Sequence, residues 1–424
     1  MNILIFQTGE PLHIDGGSPR PMRAMNLANK YIEKGHKVTL VSSRYYHQEK
    51  KHRKHKSMNI KIDENLSIFL IPSFGYKKNV SFSRLFDHII LAFNLKKFLK
   101  SESFVKPDLI ISGFPPIETA FVLSLWAKKN KIKYILDVKD QWPTILVKSF
   151  PKFLRFIAGI ALSPLFFMAK YTMRNANINT SISKGFLDWV SSFSNISDSK
   201  RLRVFPLASP PIITDSESLK HAEDWWKDRG IKKNLNLKII FIGSFSRAFD
   251  FDTLIKSAIY CSEQKIAIEF IICGSGEQGD RLSELTENLD NVKIIDWIDR
   301  PKIKALELMA DLSIAPYKGS EDFRVSIPNK AIDSLMAGLP IITPLDGDLK
   351  NLITKNEAGL FYKDVNSLNS ILKLLSDKRT ILLEYSKNAS NLYYEQFNFD
   401  NVYDDFIQAS EKLIDNNAST VKKL

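Results

Sequence analysis

Short runs of β-branched and aliphatic residues alternate with helix-patterned stretches along most of the chain, and this alternation limits the fold more than any other feature. Ile3 to Phe6, Lys37 to Ser42, Ser67 to Ile71, Leu109 to Gly113, Tyr134 to Val138 and Ile178 to Ser181 read as strands. Such runs, apolar at nearly every position, suit strands buried on both faces, as in a parallel sheet covered by helices. Between them Met22–Lys34 has its apolar residues mostly on one face, and Ser81–Lys100 carries Phe82, Leu85, Phe86, Ile89, Ile90 and Phe93 at helical spacing. Around Phe205–Leu235 the pattern breaks at Pro206, Pro210 and Pro211, and the polar run to Lys220 reads as a linker. From Leu237 the alternation restarts. A second βα domain is therefore expected over 206–382, after a first over 1–205.

Charge divides at the same place. Residues 1–205 hold 33 Lys and Arg against 14 Asp and Glu, a net +19 within a chain total of +13, so the remainder is −6. A basic half suits nucleic acid, an anionic membrane surface or a phosphate-bearing substrate. Basic residues interleaved with aromatic platforms are missing, which argues against nucleic acid. Phe153–Ala169 is the most apolar part, yet it includes Arg155 and breaks at Ser163-Pro164, too short for a spanning helix of roughly 20 residues. It fits a buried helix pair or a helix lying in one leaflet, and the Phe-rich stretch before Lys96, Lys97 and Lys100 leaves the same two options. Cys261 and Cys273 make no disulfide framework, and Met1–Phe6 lacks the marks of a signal peptide. Both point to a cytoplasmic protein.

Several turns could hold a ligand. Gly16-Gly17, after the first strand, allows close backbone approach, and Arg20 and Arg23 flank the next helix. A plain loop and a solvated helix face fit as well. The segment Tyr45–Lys56 reads as a basic loop too charged for the core, and the segment around Gly75-Tyr76 as mobile; His52 and His55 have no converging partners for a metal. Asp137-Val138-Lys139-Asp140-Gln141-Trp142-Pro143 sets carboxylates at a strand end, where parallel sheets bind ligands. A structural role suits Asp137. Asp140 fits a base, an orienter of acceptor hydroxyls or a cap.

In the second half, Phe241-Ile242-Gly243-Ser244-Phe245 is a strand opening into a glycine turn, and Gly274-Ser275-Gly276-Glu277-Gln278-Gly279 follows a later strand. The latter meets much of the dinucleotide fingerprint, which would give an NAD-binding oxidoreductase. That fingerprint belongs on the first strand of its domain, however, and here it follows the second. Asp250-Phe251-Asp252 and Asp346-Gly347-Asp348 match a divalent-metal pattern, but the first sits where a helix cap is wanted. Ser326–Pro340 reads as a helix opened by Pro328 and closed by Gly338 and Pro340. Its N-terminus offers backbone N–H groups to an anion, and Lys330 and Asp333 share one face.

Together these motifs resemble the GT-B glycosyltransferases of family 4, especially members that transfer amino-deoxy sugars of the fucosamine type in bacterial surface polysaccharide assembly. The resemblance implies an α/β fold of two Rossmann-like domains facing across a cleft, with final helices around 383–424 crossing back onto the first. It implies a nucleotide sugar, UDP-linked, on the second domain, and a lipid-linked or glycan acceptor on the first. It further implies no obligatory metal or other cofactor, and retention of anomeric configuration, the leaving diphosphate helping to deprotonate the acceptor hydroxyl.

Carried over by motif, donor-binding residues are Gly243, Ser244, Arg247, Gly274, Ser275, Gly276, Trp297, Arg324, Pro328, Asn329, Lys330 and Asp333; acceptor-binding residues are Gly16, Gly17, Arg20 and Asp140; and Asp140, Lys330 and Asp333 take the catalytic roles. Asp333 would hold ribose hydroxyls, with Trp297 near the base. The chain departs from the pattern at Val325, where the first of two glutamates is usual, at Pro328 for a glycine, and at Ser244 for a basic residue. Lys330, Arg324 and Arg247, with the amides of Asn329 and Lys330, are then left to meet the diphosphate charge. A UDP-sugar epimerase or hydrolase on the same fold is the alternative. The expected setting is cytoplasmic, peripheral on the inner face of the cell membrane.

Overall fold

The computed structural model describes residues 1–16, 20–55, 58–78, 81–101 and 104–421, with the side chains of Asp322 and of 416–421 left aside. The chain folds as two units, one of residues 1–206 with those from Asp400 onward, the other of Leu207–Phe399.

In unit 1 the strands are β1 (Asn2–Phe6), β2 (Lys37–Ser43), β3 (Tyr45–Tyr46), β4 (Lys51–His52), β5 (Asn59–Lys61), β6 (Leu66–Ile71), β7 (Leu109–Phe114), β8 (Lys133–Val138), β9 (Ile178–Ser181) and β10 (Leu202–Val204). All but β3 and β4 form one sheet in the order β10-β9-β8-β7-β1-β2-β6-β5, parallel except for the β5–β6 pair. Reading outward from β1, β2 and β6 lie to one side and β7, β8 and β9 to the other, the doubly wound Rossmann-like order. The strand order reverses between β1 and β7. The core is built from strand residues such as Leu4, Phe6, Ile110 and Leu136 and from the inward faces of the helices Phe82–Phe98 and Ile117–Asn130. The last helix, Phe399–Val421, joins this unit from Asp400 on, where Tyr403 accepts from Asn26 and Ser410 meets the Tyr31 hydroxyl at 2.6 Å.

Unit 2 repeats the plan with β11 (Leu237–Ile242), β12 (Ile268–Cys273), β13 (Val292–Ile295), β14 (Leu312–Ile314), β15 (Ile341–Thr343) and β16 (Gly359–Phe361), all parallel, in the order β13-β12-β11-β14-β15-β16. Its switch point lies between β11 and β14. The fold class is thus α/β with two Rossmann-like units.

Several local expectations change. The polar run before Lys220 is no linker: Ser216–Lys227 is a helix capped by Asp215, which buries Ala222 and Trp226 against the helix Arg300–Met309. The Trp226 indole N–H donates to the Lys302 carbonyl at 2.9 Å. Residues 45–55 are not a solvated loop either, since β3 and β4 pair as a hairpin, Tyr45 and Tyr46 are buried, and the Arg53 guanidinium is buried on Asp15 at 2.7 Å. Gly75-Tyr76, read as mobile, is held by the Gly75 amide on Asp87 at 2.6 Å and by the Tyr45 hydroxyl on the Tyr76 carbonyl. Finally, Thr380–Gln396 places Leu382, Ala389, Leu392 and Tyr393 in the core of unit 2, so the return to unit 1 begins at Asp400 and not near 383.

Candidate functional site

At the switch point of unit 2 the turn after β11, the turn after β12 and the helix Asn329–Met336 meet. Gly243 (φ 152°), Gly274 (φ 146°) and Gly276 (φ 151°) all adopt backbone that side-chain-bearing residues avoid. Space gives the second reason for glycine. A Cβ on Gly274 would overlap the Gly243 carbonyl oxygen, one on Gly276 would stand 2.9 Å from the Phe245 backbone, and one on Gly243 would overlap the Lys330 ammonium. Hydrogen bonds lock the two turns together: Phe245 N–H to the Ser275 carbonyl at 2.8 Å, Gln278 N–H to the Phe245 carbonyl at 3.0 Å, and the Gln278 side chain to the Ser246 carbonyl at 2.6 Å.

Lys330 sits over this junction. Its Nζ donates to the Ile242 carbonyl at 2.6 Å and stands 5.2 and 5.6 Å from the Phe241 and Phe249 ring centres. Pro328 precedes the helix in extended conformation (φ −66°, ψ 150°) and supplies no side-chain cap, its carbonyl accepting from the Ala331 amide at 3.0 Å. Asp333 lies one turn on, half-buried, while the Ser334 hydroxyl ties the helix to β14 through Ser313 at 2.7 Å. The predicted Gly243, Gly274, Gly276 and Lys330 are therefore brought together, and Pro328, Asn329 and Asp333 share the helix that delivers Lys330. Ser244 and Ser275 are exposed on the two turns.

Other predicted donor residues take separate positions. Arg247 is exposed and paired with Glu277 at 3.2 Å. Arg324 is exposed at the end of the four-residue helix Glu321–Arg324, its backbone packed where a Cβ on Gly347 would go, and Val325 follows it half-buried. Trp297 is 71% exposed on the turn after β13, an open ring face beside the same strand ends. Asp250 caps Phe251–Glu263 through the Thr253 amide at 3.3 Å, and Asp346 pairs with Lys350 at 3.1 Å. Among the described residues no group of three His, Cys, Asp or Glu side chains is placed to hold a metal ion.

In unit 1 the switch point opens into a cavity of about 170 Å³. Gln7, Thr8 and Gly9 line it from the end of β1, Phe114, Pro115 and Pro116 from β7, and Lys139 and Asp140 from β8; His47, Tyr76, Arg84 and His88 complete it. Asp140, predicted from its strand-end position, is thus in the site. Gly16 and Arg20 are exposed and outside the cavity lining, and Gly17 lies outside the described residues. Arg23 is no anion-binding surface group: it is buried, with Nε 2.9 Å from Asp137 Oδ2 and Nη1 donating to the Phe205 carbonyl at 2.8 Å. Burial pushes the Asp137 carboxyl up, but Arg23, Lys139 and the Thr180 hydroxyl outweigh it and hold the group below the usual range. Asp137 is accordingly structural. His52 and His55 each meet a backbone carbonyl, of Ser73 and Ile14.

Sequence reasoning missed His47, Tyr76, Arg84 and His88 as site residues because they come from three separate segments. One signal was present: Arg84, Asp87 and His88 occupy the inward side of an otherwise apolar helix, and buried polar side chains there need partners.

With this geometry in hand, likenesses to known proteins can be placed. Residues 236–377 match the family model described as Glycosyl transferases group 1. No curated protein sequence matches the chain. Among solved structures, sucrose-phosphate synthase from Thermosynechococcus elongatus superposes with a TM-score of 0.67 at 13% identity, over 98% of this chain and 99% of that one. Anabaena Alr3699/HepE in complex with UDP-glucose gives 0.62 at 14%, over 97% and 99%. A UDP-N-acetylglucosamine 2-epimerase structure from Listeria monocytogenes gives 0.59 at 11%, over 98% and 97%. The superpositions show the fold, that of the GT-B glycosyltransferases. The match to group 1 glycosyl transferases lies wholly within unit 2.

Proposed function

We propose that the protein transfers a sugar from a UDP-sugar held by unit 2 to a hydroxyl of a lipid-linked or glycan acceptor held by unit 1, with retention. The observation that carries this reading is the convergence of the Lys330 ammonium, three glycine-dependent close approaches and a helix N-terminus at the switch point of the matched domain. Backbone N–H groups and a cation at such a point suit a diphosphate. An N-acetylamino-deoxy sugar fits the resemblance carried by Asp137–Pro143 and Pro328–Lys330.

The roles follow from the chemistry. As the anomeric carbon–oxygen bond to the diphosphate breaks and the bond to the acceptor oxygen forms, negative charge grows on the diphosphate, and the acceptor proton passes to it. Lys330, with three N–H donors, keeps its bond to Ile242 and turns another toward a phosphate oxygen. Preorganised charge there lowers the barrier without reorganisation at the moment of reaction. The amides of Asn329 and Lys330 assist, with Arg324 and Arg247 as outer cations, the latter after release from Glu277. Asp333 takes ribose hydroxyls, Trp297 the base, Gly243, Ser244, Gly274, Ser275, Gly276 and Pro328 shape the cradle, and Asp140 orients the acceptor hydroxyl. By the resemblance Gly16, Gly17 and Arg20 also contact the acceptor. No metal or cofactor enters this scheme.

A membrane surface is the proposed setting, on the cytoplasmic side. The helix Phe82–Phe98 leaves Phe82 84% exposed, with Phe86, Ile89 and Phe93 beside it, and the bent pair Lys152–Ala161 and Ser163–Asn175 exposes Phe153, Phe156, Ile157, Ile160 and Phe167. Lys96, Lys97, Lys152, Arg155 and Lys170 stand among them. Apolar side chains flanked by cations fit an anionic lipid interface. Among the described residues no single helix is long and apolar enough to cross a membrane.

The 2-epimerase likeness favours one second reading, an epimerase or hydrolase acting on a UDP-sugar alone. A UDP-release screen across nucleotide sugars separates the two: transfer requires a lipid-linked acceptor for release, whereas sugar conversion without an acceptor supports the second reading.

A further inference from the structure

The unit 1 cavity is lined by cations at one corner. Arg84 reaches it from the helix Phe82–Phe98 with its guanidinium held 4.7 Å from the Trp142 ring centre and 5.4 Å from that of Tyr76. Lys139 enters from β8, its Nζ 2.5 Å from Glu10 and 3.0 Å from Gln7. His47 Nδ1 meets the Tyr76 hydroxyl at 2.7 Å and the Lys50 ammonium at 3.0 Å, and Lys50 stands 5.0 Å from the Tyr76 ring centre. His88 is buried with Nδ1 3.5 Å from Glu118, and that nitrogen makes no hydrogen bond. The nearby carboxylates are Glu10 and Asp137 on Lys139, Glu118 on His88, Asp87 on the Gly75 amide, and Asp140, which accepts from the Gln141 amide at 2.7 Å. Burial chiefly, with Lys50, Arg84 and His88 adding to it, holds His47 down to about 4.

The helix that brings Arg84 and His88 inward carries Phe82, Phe86, Ile89 and Phe93 on its opposite face. With that face on a bilayer, the cavity would lie about one helix diameter, roughly 10 Å, below the apolar surface. This is a depth for the head group of a lipid, not for its chain.

We propose that Arg84, Lys139 and His47 form a phosphate site, which holds the phosphate or diphosphate of a lipid-linked acceptor head group. The lipid assignment rests on the acceptor reading above; the anion site rests on the cavity alone. Bound phosphate would offset the local positive charge and leave Asp140 to orient the sugar hydroxyl beyond it.

Histidine ring resonances of the full chain, followed by NMR during titration with inorganic pyrophosphate and with a short-chain isoprenyl diphosphate, test this. An anion at the site raises the pKa of His47, so near pH 5.5 its ring should become protonated as either ligand is added. The same response is expected in Lys330→Ala, where the donor site is impaired, a loss of it in Arg84→Gln, and partial retention in Arg84→Lys, which keeps the charge. With anionic lipid nanodiscs present to take the chain, the isoprenyl form should bind at least about tenfold tighter than pyrophosphate. A His47 resonance unmoved by both ligands, in a protein that still binds UDP, overturns the phosphate site and leaves the glycosyltransferase reading intact. Equal affinity for both ligands overturns the lipid assignment.

Discussion

Lys330→Met is the perturbation that probes the donor site with least disturbance. Methionine keeps an unbranched stem near the Phe241 and Phe249 rings and removes only the ammonium. Two losses follow, and their sizes separate them. The hydrogen bond from Nζ to the Ile242 carbonyl is charge-assisted and half-buried, worth about 1.5–2 kcal/mol of stability. Against a typical total of roughly 5–15 kcal/mol, the variant stays almost wholly folded. The second loss falls on the transition state, where a preorganised donor to a developing oxyanion contributes about 2.7–4 kcal/mol. At 1.36 kcal/mol per tenfold this is a fall of about 10²–10³ in kcat. Steady-state UDP release at saturating donor and acceptor measures it, with unfolding followed in parallel. A folded variant whose kcat stays within about threefold of the parent would refute the placement of the leaving diphosphate beside Lys330.

Other consequences can be checked separately. Asp137→Asn leaves Arg23 buried without its charge partner and should destabilise unit 1 by about 3–5 kcal/mol in urea titration, while Arg23→Met with Asp137→Leu together should cost less than the two single changes summed. Because the fold lowers the Asp137 pKa, its contribution is fully present above the unfolded value of about 3.9 and is lost as pH falls through the folded value; parent stability should therefore drop more steeply than that of Asp137→Asn below about pH 4. Gly274→Ala, at φ 146° against the Gly243 carbonyl, should weaken UDP binding, whereas Gly230→Ala, at φ 75° with nothing within 4 Å, should lose about 1 kcal/mol of stability with UDP affinity unchanged. Flotation with anionic liposomes should retain the parent at low salt, less at high salt, and release a Phe82→Ser, Phe86→Ser, Phe93→Ser variant; equal flotation of both proteins would exclude this face as the contact.

The strands and the glycine turns were legible because their causes are local. Runs such as Phe270–Cys273 are apolar at every position since both sheet faces are covered, and Gly243, Gly274 and Lys330 lie at strand ends or a helix start that patterning locates. What stayed hidden depends on partners distant in sequence. Arg23 read as an anion binder or a solvated charge and Arg53 as part of a charged loop, although Asp137 and Asp15 bury them, and nothing near either arginine announces its partner. The helix Ser216–Lys227 buries Ala222 and Trp226 with Leu219 and Trp225 half-buried beside them, a short apolar stripe that the three preceding prolines and the charged residues around it obscure. The unit 1 cavity needed topology as well: β1, β7 and β8 bring residues 7–9, 114–116 and 139–140 to one edge, and only the fold adds His47, Tyr76, Arg84 and His88 to them.

The central claim, that this chain moves a sugar from a nucleotide carried by unit 2 to a separate acceptor, is tested most directly by following donor, acceptor and products together in one reaction by mass spectrometry. The account predicts that UDP appears one-for-one with an acceptor heavier by one sugar residue, and that both vanish when the acceptor is omitted. UDP or a converted nucleotide sugar formed at the same rate without acceptor would contradict it.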